Sequence, residues 1–115
     1  MKKREIIKKE QTFTEMIKHC PYVKNSYYVI YYRKNNEDTK YGISIPKKTG
    51  KANVRNKIKR RIKNIIDTNE KQVHKNYDYV IIIRKRLIEL NYQEMETSLI
   101  KLMSKIGVKN EESEI

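Results

Sequence analysis

The sequence predicts an α+β domain in which helices flank a small sheet. Two observations carry that expectation. Segments with apolar residues at helical spacing alternate with segments rich in β-branched and aromatic residues. The 115 residues also suffice for one hydrophobic core but hardly for two. The segments follow the order α-β-β-α-β-α, with room for a further short strand near residues 20–24. No internal repeat or linker interrupts them. A single domain over residues 1–115 is expected, with a basic arm at 1–10 and an acidic tail at 108–115 that are only loosely held.

The elements are justified in turn. Thr12-x-x-Glu15 reads as a capping box opening a first helix, on which Phe13, Met16, Ile17 and Cys20 share one face before Pro21 ends it. Residues 26–33 read as a strand, with Tyr27, Val29, Tyr31 and Arg33 on one side and Tyr28, Ile30 and Tyr32 on the other. A polar turn, Asn35-Asn36-Glu37-Asp38, leads to a second strand at 40–46, expected to return antiparallel to the first as a hairpin. Its Tyr41, Ile43 and Ile45 face one side. Gly42 and Ser44 face the other and leave that surface shallow.

After the basic connection Pro46-Lys47-Lys48-Thr49-Gly50, residues 52–66 form the most distinctive helix. Val54, Ile58, Ile62, Ile65 and Ile66 make its apolar stripe, and Asn56, Lys59, Arg60 and Lys63 its opposite face. Arg55 and Arg61 stand at the borders. Residues 78–84 are almost continuously apolar and suit a central strand buried on both faces. Asn91-x-x-Glu94 is a second capping box. It opens a helix with Tyr92, Met95, Leu99, Leu102, Met103 and Ile106 on one side, and Gly107 is expected to end it.

Charge narrows the function. Lys and Arg number 27 against 14 acids, a formal charge of +13. Such self-repulsion disfavours a compact state unless a polyanion balances it, and nucleic acid is the first candidate. No run is long enough to span a bilayer, and no apolar stretch follows the basic N-terminus as a secretory signal requires. The single cysteine, Cys20, excludes an internal disulfide and a multi-cysteine zinc site, so the cytosol is the expected compartment.

Nothing in the chain reads as a self-contained active site. His19 and His74 lie in different segments, neither beside a nucleophile, and both read as surface or capping residues. His19 and Cys20 are adjacent, so on a helix they point about 100° apart and form no dyad. There is no phosphate-binding glycine loop and no zinc-protease motif. The acids are scattered rather than paired for two metals. No catalytic residue and no metal site is expected in the protein.

The strong signal is residues 47–63, KKTGKANVRNKIKRRIK, with nine Lys/Arg and no acid. A charge run is usually a solvated face. Here the apolar stripe anchors the helix, so its cations stand in a fixed array, and the compensating glutamates of a solvated helix are absent. The helix N-terminus and the Gly50 N–H are also placed to meet a phosphate. The second signal is aromatic: nine tyrosines and no tryptophan. Unpaired bases stack on such rings. Tyr28, Tyr32, Tyr79 and Tyr92 read first as strand and core residues, whereas periodicity does not decide the role of Phe13 or Tyr31.

At Gly50, Ala52, Val54, Arg55, Asn56, Lys57, Lys59 and Arg60 the chain resembles the bacterial ribonuclease P protein family, whose signature is an Arg-Asn-Arg stretch on a basic helix. The N-terminal KKREIIKKEQTFTEMIKH, the YGISIPKKTG segment and YDYVIIIRK resemble the family's other segments, in the same order over about residues 2–106. Two positions depart from the pattern. Lys57 replaces the second arginine, keeping the charge but losing the planar fork. Ile17 replaces an aromatic residue of the first helix.

The resemblance implies an α/β sandwich of α-β-β-β-α-β-α order with a left-handed β-α-β crossover, like a domain of a ribosomal protein. It implies the protein subunit of an endoribonuclease that removes the 5′ leader of precursor tRNA, with Mg²⁺ held mainly by a catalytic RNA and the protein monomeric in a 1:1 complex with it. Arg55, Asn56, Lys57, Lys59, Arg60 and Lys63 would contact that RNA. Phe13, Ile17, Tyr31, Ser44, Lys47, Lys48 and Arg84 would hold the leader. The rivals are a structural RNA-binding protein of ribosomal type, which would not stimulate cleavage, and a DNA-binding protein with the basic helix in the major groove. Against the latter, no helix-turn-helix or dimerisation element is evident.

Overall fold

The most apolar segment of the chain takes the middle of the sheet. In a computed structural model describing residues 6, 7 and 10–106, the chain runs through α1 (Glu10–His19), β1 (Tyr22–Lys24), β2 (Tyr28–Lys34), β3 (Lys40–Ser44), α2 (Ala52–Thr68), β4 (Tyr77–Ile83) and α3 (Tyr92–Met103). The strands lie in the order β1-β2-β4-β3. β2 is antiparallel to both β1 and β4, while β3 is parallel to β4. Single 3₁₀ turns at Lys47–Thr49, Glu70–Gln72 and Lys85–Glu89 link the larger elements.

The expected hairpin between β2 and β3 does not form. Their directions are opposed, as predicted, but β4 lies between them. Every residue of β4 except Ile82 is buried, and a strand that needs cover on both faces is best placed between two others. The 35–39 turn therefore passes over the start of β4 and is pinned there. Asn35 N–H donates to Asn76 O (2.8 Å), Asn76 N–H to Thr39 Oγ1 (2.8 Å) and Asn76 Nδ2 to Glu37 O (2.7 Å). Asn76 has φ 65°, the left-handed region that Asn tolerates better than most residues. Next to it, Asp78 accepts from Arg33 Nε (2.9 Å) and Asn35 Nδ2 (2.7 Å). Those bonds offset the cost of burying its charge.

Strand alternation divides the molecule into two layers of packing. Tyr28, Ile30 and Tyr32 of β2, Tyr41 of β3, and Tyr77, Tyr79, Ile81 and Ile83 of β4 face α2 and α3. They join Ile58, Ile62, Ile65 and Ile66 of α2 and Met95, Leu99, Leu102 and Met103 of α3 in the main core. The opposite face carries a much smaller cluster, Ile7, Met16 and Val80, with Phe13, Cys20, Tyr31 and Ile82 packed at its border.

Several helix details differ from the sequence reading. α1 begins at Glu10, so Thr12 lies within the helix and does not cap it. Ile17, expected on the buried face, is 43% exposed. Val54 is 38% exposed, because it stands on α2 before the stripe reaches the sheet. The Asn91 capping box forms as expected, with Glu94 N–H donating to Asn91 Oδ1 (2.8 Å) and Asn91 N–H to Glu94 Oε1 (3.0 Å). α3 ends at Met103 rather than at Gly107, which lies outside the described residues together with the acidic tail. Of the basic arm expected to be loosely held, residues 1–5, 8 and 9 lie outside the described residues; within it Ile7 is buried and its N–H donates to Tyr41 O at 2.8 Å. Ile6 bridges Tyr41 as a parallel partner. An edge strand such as β3 offers unpaired carbonyls to any segment that can reach them.

Candidate RNA interface

The site follows from the two faces of one sheet. On the side of α2, the helix turns its isoleucines to the core and its cations to solvent. Asn56, Lys59, Arg60 and Lys63, with Asn53, line one shallow depression along the helix. Lys57, Arg60, Arg61, Asn64 and Tyr92 line a second, so Arg60 belongs to both. Tyr92 enters from the start of α3, and its hydroxyl accepts from Asn64 Nδ2. Tyr92, read from the sequence as a strand or core residue, does pack against the main core while also lining this depression, whereas the sequence does not single out Asn53 or Asn64. Their signal was only that they share the outward arc of α2.

Arg55 occupies a different position. Half-buried, it donates from Nε to Gly50 O at 3.1 Å and so ties the start of α2 to the preceding turn. The Gly50 N–H, expected to face a phosphate, is instead donated to Lys47 O at 3.3 Å. That turn closes on itself, and its charge is presented by the exposed side chains of Lys47, Lys48 and Lys51.

On the other side, α1 covers only part of the sheet. Its Met16 is fully buried. Phe13 lies directly over Gly42, where a Cβ would fall 2.5 Å from Phe13 Cζ. The shallow surface expected at Gly42 and Ser44 is thus what admits the ring. Tyr31, Val29, Ile82 and Ser44 remain half-buried, forming an uncovered strip beside the helix with Ile17 exposed above it. Cations rim the strip. Lys47 and Lys48 follow β3, and Arg84 follows β4 with Nη1 donating to Asn25 O at 3.1 Å. The turns carrying these residues touch each other. All the residues predicted for this site therefore lie on or beside one face. Val29, Ile82, Tyr22 and Lys24, which sequence reasoning missed, lie on the same face.

Cys20 borders this face, and burial raises its thiol pKa, so the thiol stays protonated. Glu15 and Asp78 both pair with Arg33, at 3.9 and 2.9 Å. Among the described residues no three His, Cys, Asp or Glu side chains converge as a metal seat requires. No helix among those residues is long and apolar enough to cross a membrane. The arrangement offers cations, half-exposed rings and a shallow strip, which is the chemistry of holding RNA through phosphates and unpaired bases.

Comparison with known proteins gives the same picture. A family model described as Ribonuclease P matches residues 1–107. The ribonuclease P protein component of Mycoplasma capricolum subsp. capricolum is 42% identical over 108 residues, covering 92% of this chain and 99% of the relative. That of Streptococcus agalactiae is 38% identical over 109 residues, covering 94% and 99%. Among solved structures, the RNase P protein from Thermotoga maritima superposes with a TM-score of 0.81 at 30% identity, covering 90% of this chain and 98% of that one. The Staphylococcus aureus RNase P protein gives 0.82 at 29% identity, covering 90% and 96%.

Proposed function

The chain belongs to the bacterial ribonuclease P protein family and serves in tRNA processing as a subunit of that endoribonuclease; from this premise we propose that its two basic faces hold two different RNAs. The outward face of α2, through Asn56, Lys57, Lys59, Arg60 and Lys63, with Arg55 at its border beside Gly50, binds the catalytic RNA. The uncovered strip beside α1 binds the 5′ leader of precursor tRNA, through Phe13, Ile17, Tyr31, Ser44, Lys47, Lys48 and Arg84. The observation that carries this reading is strand alternation. It places a cation-rimmed aromatic strip on one side of the sheet and anchors a cationic helix on the other.

The consequence is discrimination by differential binding. A leader contact adds affinity for the precursor and none for the mature tRNA, so product can leave. Two RNAs repel each other, and a chain of charge +13 between them lowers that repulsion. Mg²⁺ belongs mainly to the catalytic RNA in this proposal. The described carboxylates do not gather around a common point, and no step is assigned to a protein-bound ion. The protein works in the cytoplasm, as a monomer in a 1:1 complex with its RNA.

Reconstitution with a bacterial ribonuclease P RNA and a precursor tRNA at low Mg²⁺ tests the proposal. The protein should stimulate correct 5′ cleavage there, and the protein alone should cleave at no Mg²⁺ concentration. Correct cleavage by nuclease-free protein without RNA would overturn the assignment of the chemistry.

A further inference from the structure

We propose that Tyr22 is a further leader-binding residue, a base-stacking platform at the outer edge of the sheet that engages only leaders long enough to cross it. The inference rests on the leader-strip reading above. Tyr22 is 51% exposed, so core packing does not account for it. It stands opposite Tyr31 in the β1–β2 register. Its ring lies 5.3 Å from that of Tyr31, at an interplanar angle of 48°. Val23 between its neighbours packs toward the main core, so strand alternation turns Tyr22 and Lys24 to the same side as Tyr31 and Val29. Lys24 is exposed there and brings a cation beside the ring pair. Two tilted, accessible rings with an adjacent ammonium suit consecutive unpaired bases and their phosphate.

Position in the sheet decides which nucleotides are involved. β3 and β1 are its two edges. The chain passes from β3 through the Lys47–Thr49 turn directly into α2, so the surface assigned to the catalytic RNA adjoins the β3 side. Cleavage occurs where leader meets tRNA, beside that RNA. A leader entering from the β3 side crosses β4 and β2 before it reaches β1, three interstrand spacings or about 14 Å away. Tyr22 therefore meets nucleotides distant from the cleavage point, whereas Tyr31 meets nearer ones.

The experiment uses holoenzyme reconstituted with a bacterial ribonuclease P RNA, and precursor tRNAs whose leaders are shortened stepwise. Tyr22→Ser should weaken binding of the long-leader precursor by about tenfold, the loss of one base–aromatic stack. It should leave the shortest-leader precursor and mature tRNA unchanged, and Tyr22→Phe should bind as the parent does. Tyr22→Trp introduces the chain's sole tryptophan, and its fluorescence should change on adding long-leader but not short-leader precursor. Equal loss for every RNA, or a silent tryptophan together with a silent Tyr22→Ser, would overturn the inference. Tyr31→Ala separates the two levels. If it responds to the leader and Tyr22→Ser does not, the platform alone fails. If neither responds, the leader-strip reading fails with it.

Discussion

The two faces of the sheet are built from the same strands and differ in how completely they are covered. Under α2 and α3, alternate residues of β2 and β4 are sealed into a core whose members are nearly all inaccessible. Under α1, the intervening residues meet a single helix, and the buried apolar cluster among the described residues is small: Ile7, Met16 and Val80. One face holds most of the buried core, while the other leaves aromatic and apolar groups half-exposed. The contrast separates residues whose loss unfolds the domain from residues whose loss changes RNA binding.

The largest expected effect comes from the sealed face. Ile62→Ala removes a fully buried side chain and should cost about 2–5 kcal/mol, read as a lowered melting temperature. If it cost no more than an exposed substitution, the sealed face would not be the source of stability. On the uncovered face, Tyr31→Ala and Phe13→Ala should each cost about 1–3 kcal/mol in precursor binding and hardly affect mature tRNA. Phe13 is the more embedded of the two, packed over Gly42. Paired melting and binding measurements therefore apply to it, and a parallel loss for both tRNAs with a lower melting temperature would move Phe13 into the core.

Gly42→Ala probes the seat of α1 on the uncovered face. The added methyl meets the tip of the Phe13 ring. The ring must shift at a cost of about 1–3 kcal/mol, and precursor binding should fall along with stability. Arg60→Ala should leave the melting temperature unchanged and reduce the salt dependence of catalytic-RNA binding by about one unit of slope. It is a cleaner test than Arg55→Ala, which also removes the bond to Gly50 O. Val54→Asp should also change stability little. On sequence grounds it would bury a charge and unfold the domain. Val54 is exposed at the start of α2, where a carboxylate suits the helix dipole. Melting should move by no more than about 0.5 kcal/mol, while RNA binding weakens through repulsion. Unfolding of this variant would return Val54 to the core.

Much of this was legible in the residues. The isoleucine stripe of α2 and its cationic outer arc follow from helical spacing, and both proved to face as expected at Ile58, Ile62, Ile65 and Ile66. The Asn91 cap and the two sides of β2 from Tyr28 onward depend on local hydrogen bonding and alternation, which sequence carries directly, whereas Tyr27, expected beside Val29 and Tyr31, precedes the strand and packs against the main core. The missed residues have a common cause. Ile82 sits in a run of apolar residues where alternation gives no contrast, and β1 is too short for its pattern to show which way Tyr22 and Lys24 point.

The sequence by itself determined the helices, the strands, the charge and the arc of cations on α2, because each depends on spacing within one segment or on composition. Only the tertiary structure decided that β4 enters between β2 and β3, that Ile7 reaches the β3 edge, and that Phe13 closes over Gly42 while the strip beside it stays open. Those features depend on which distant segments compete for the same edge or face. The outcome is settled by burying β4 on both sides and by the carbonyl hydrogen bonds that β3 and the start of β4 offer.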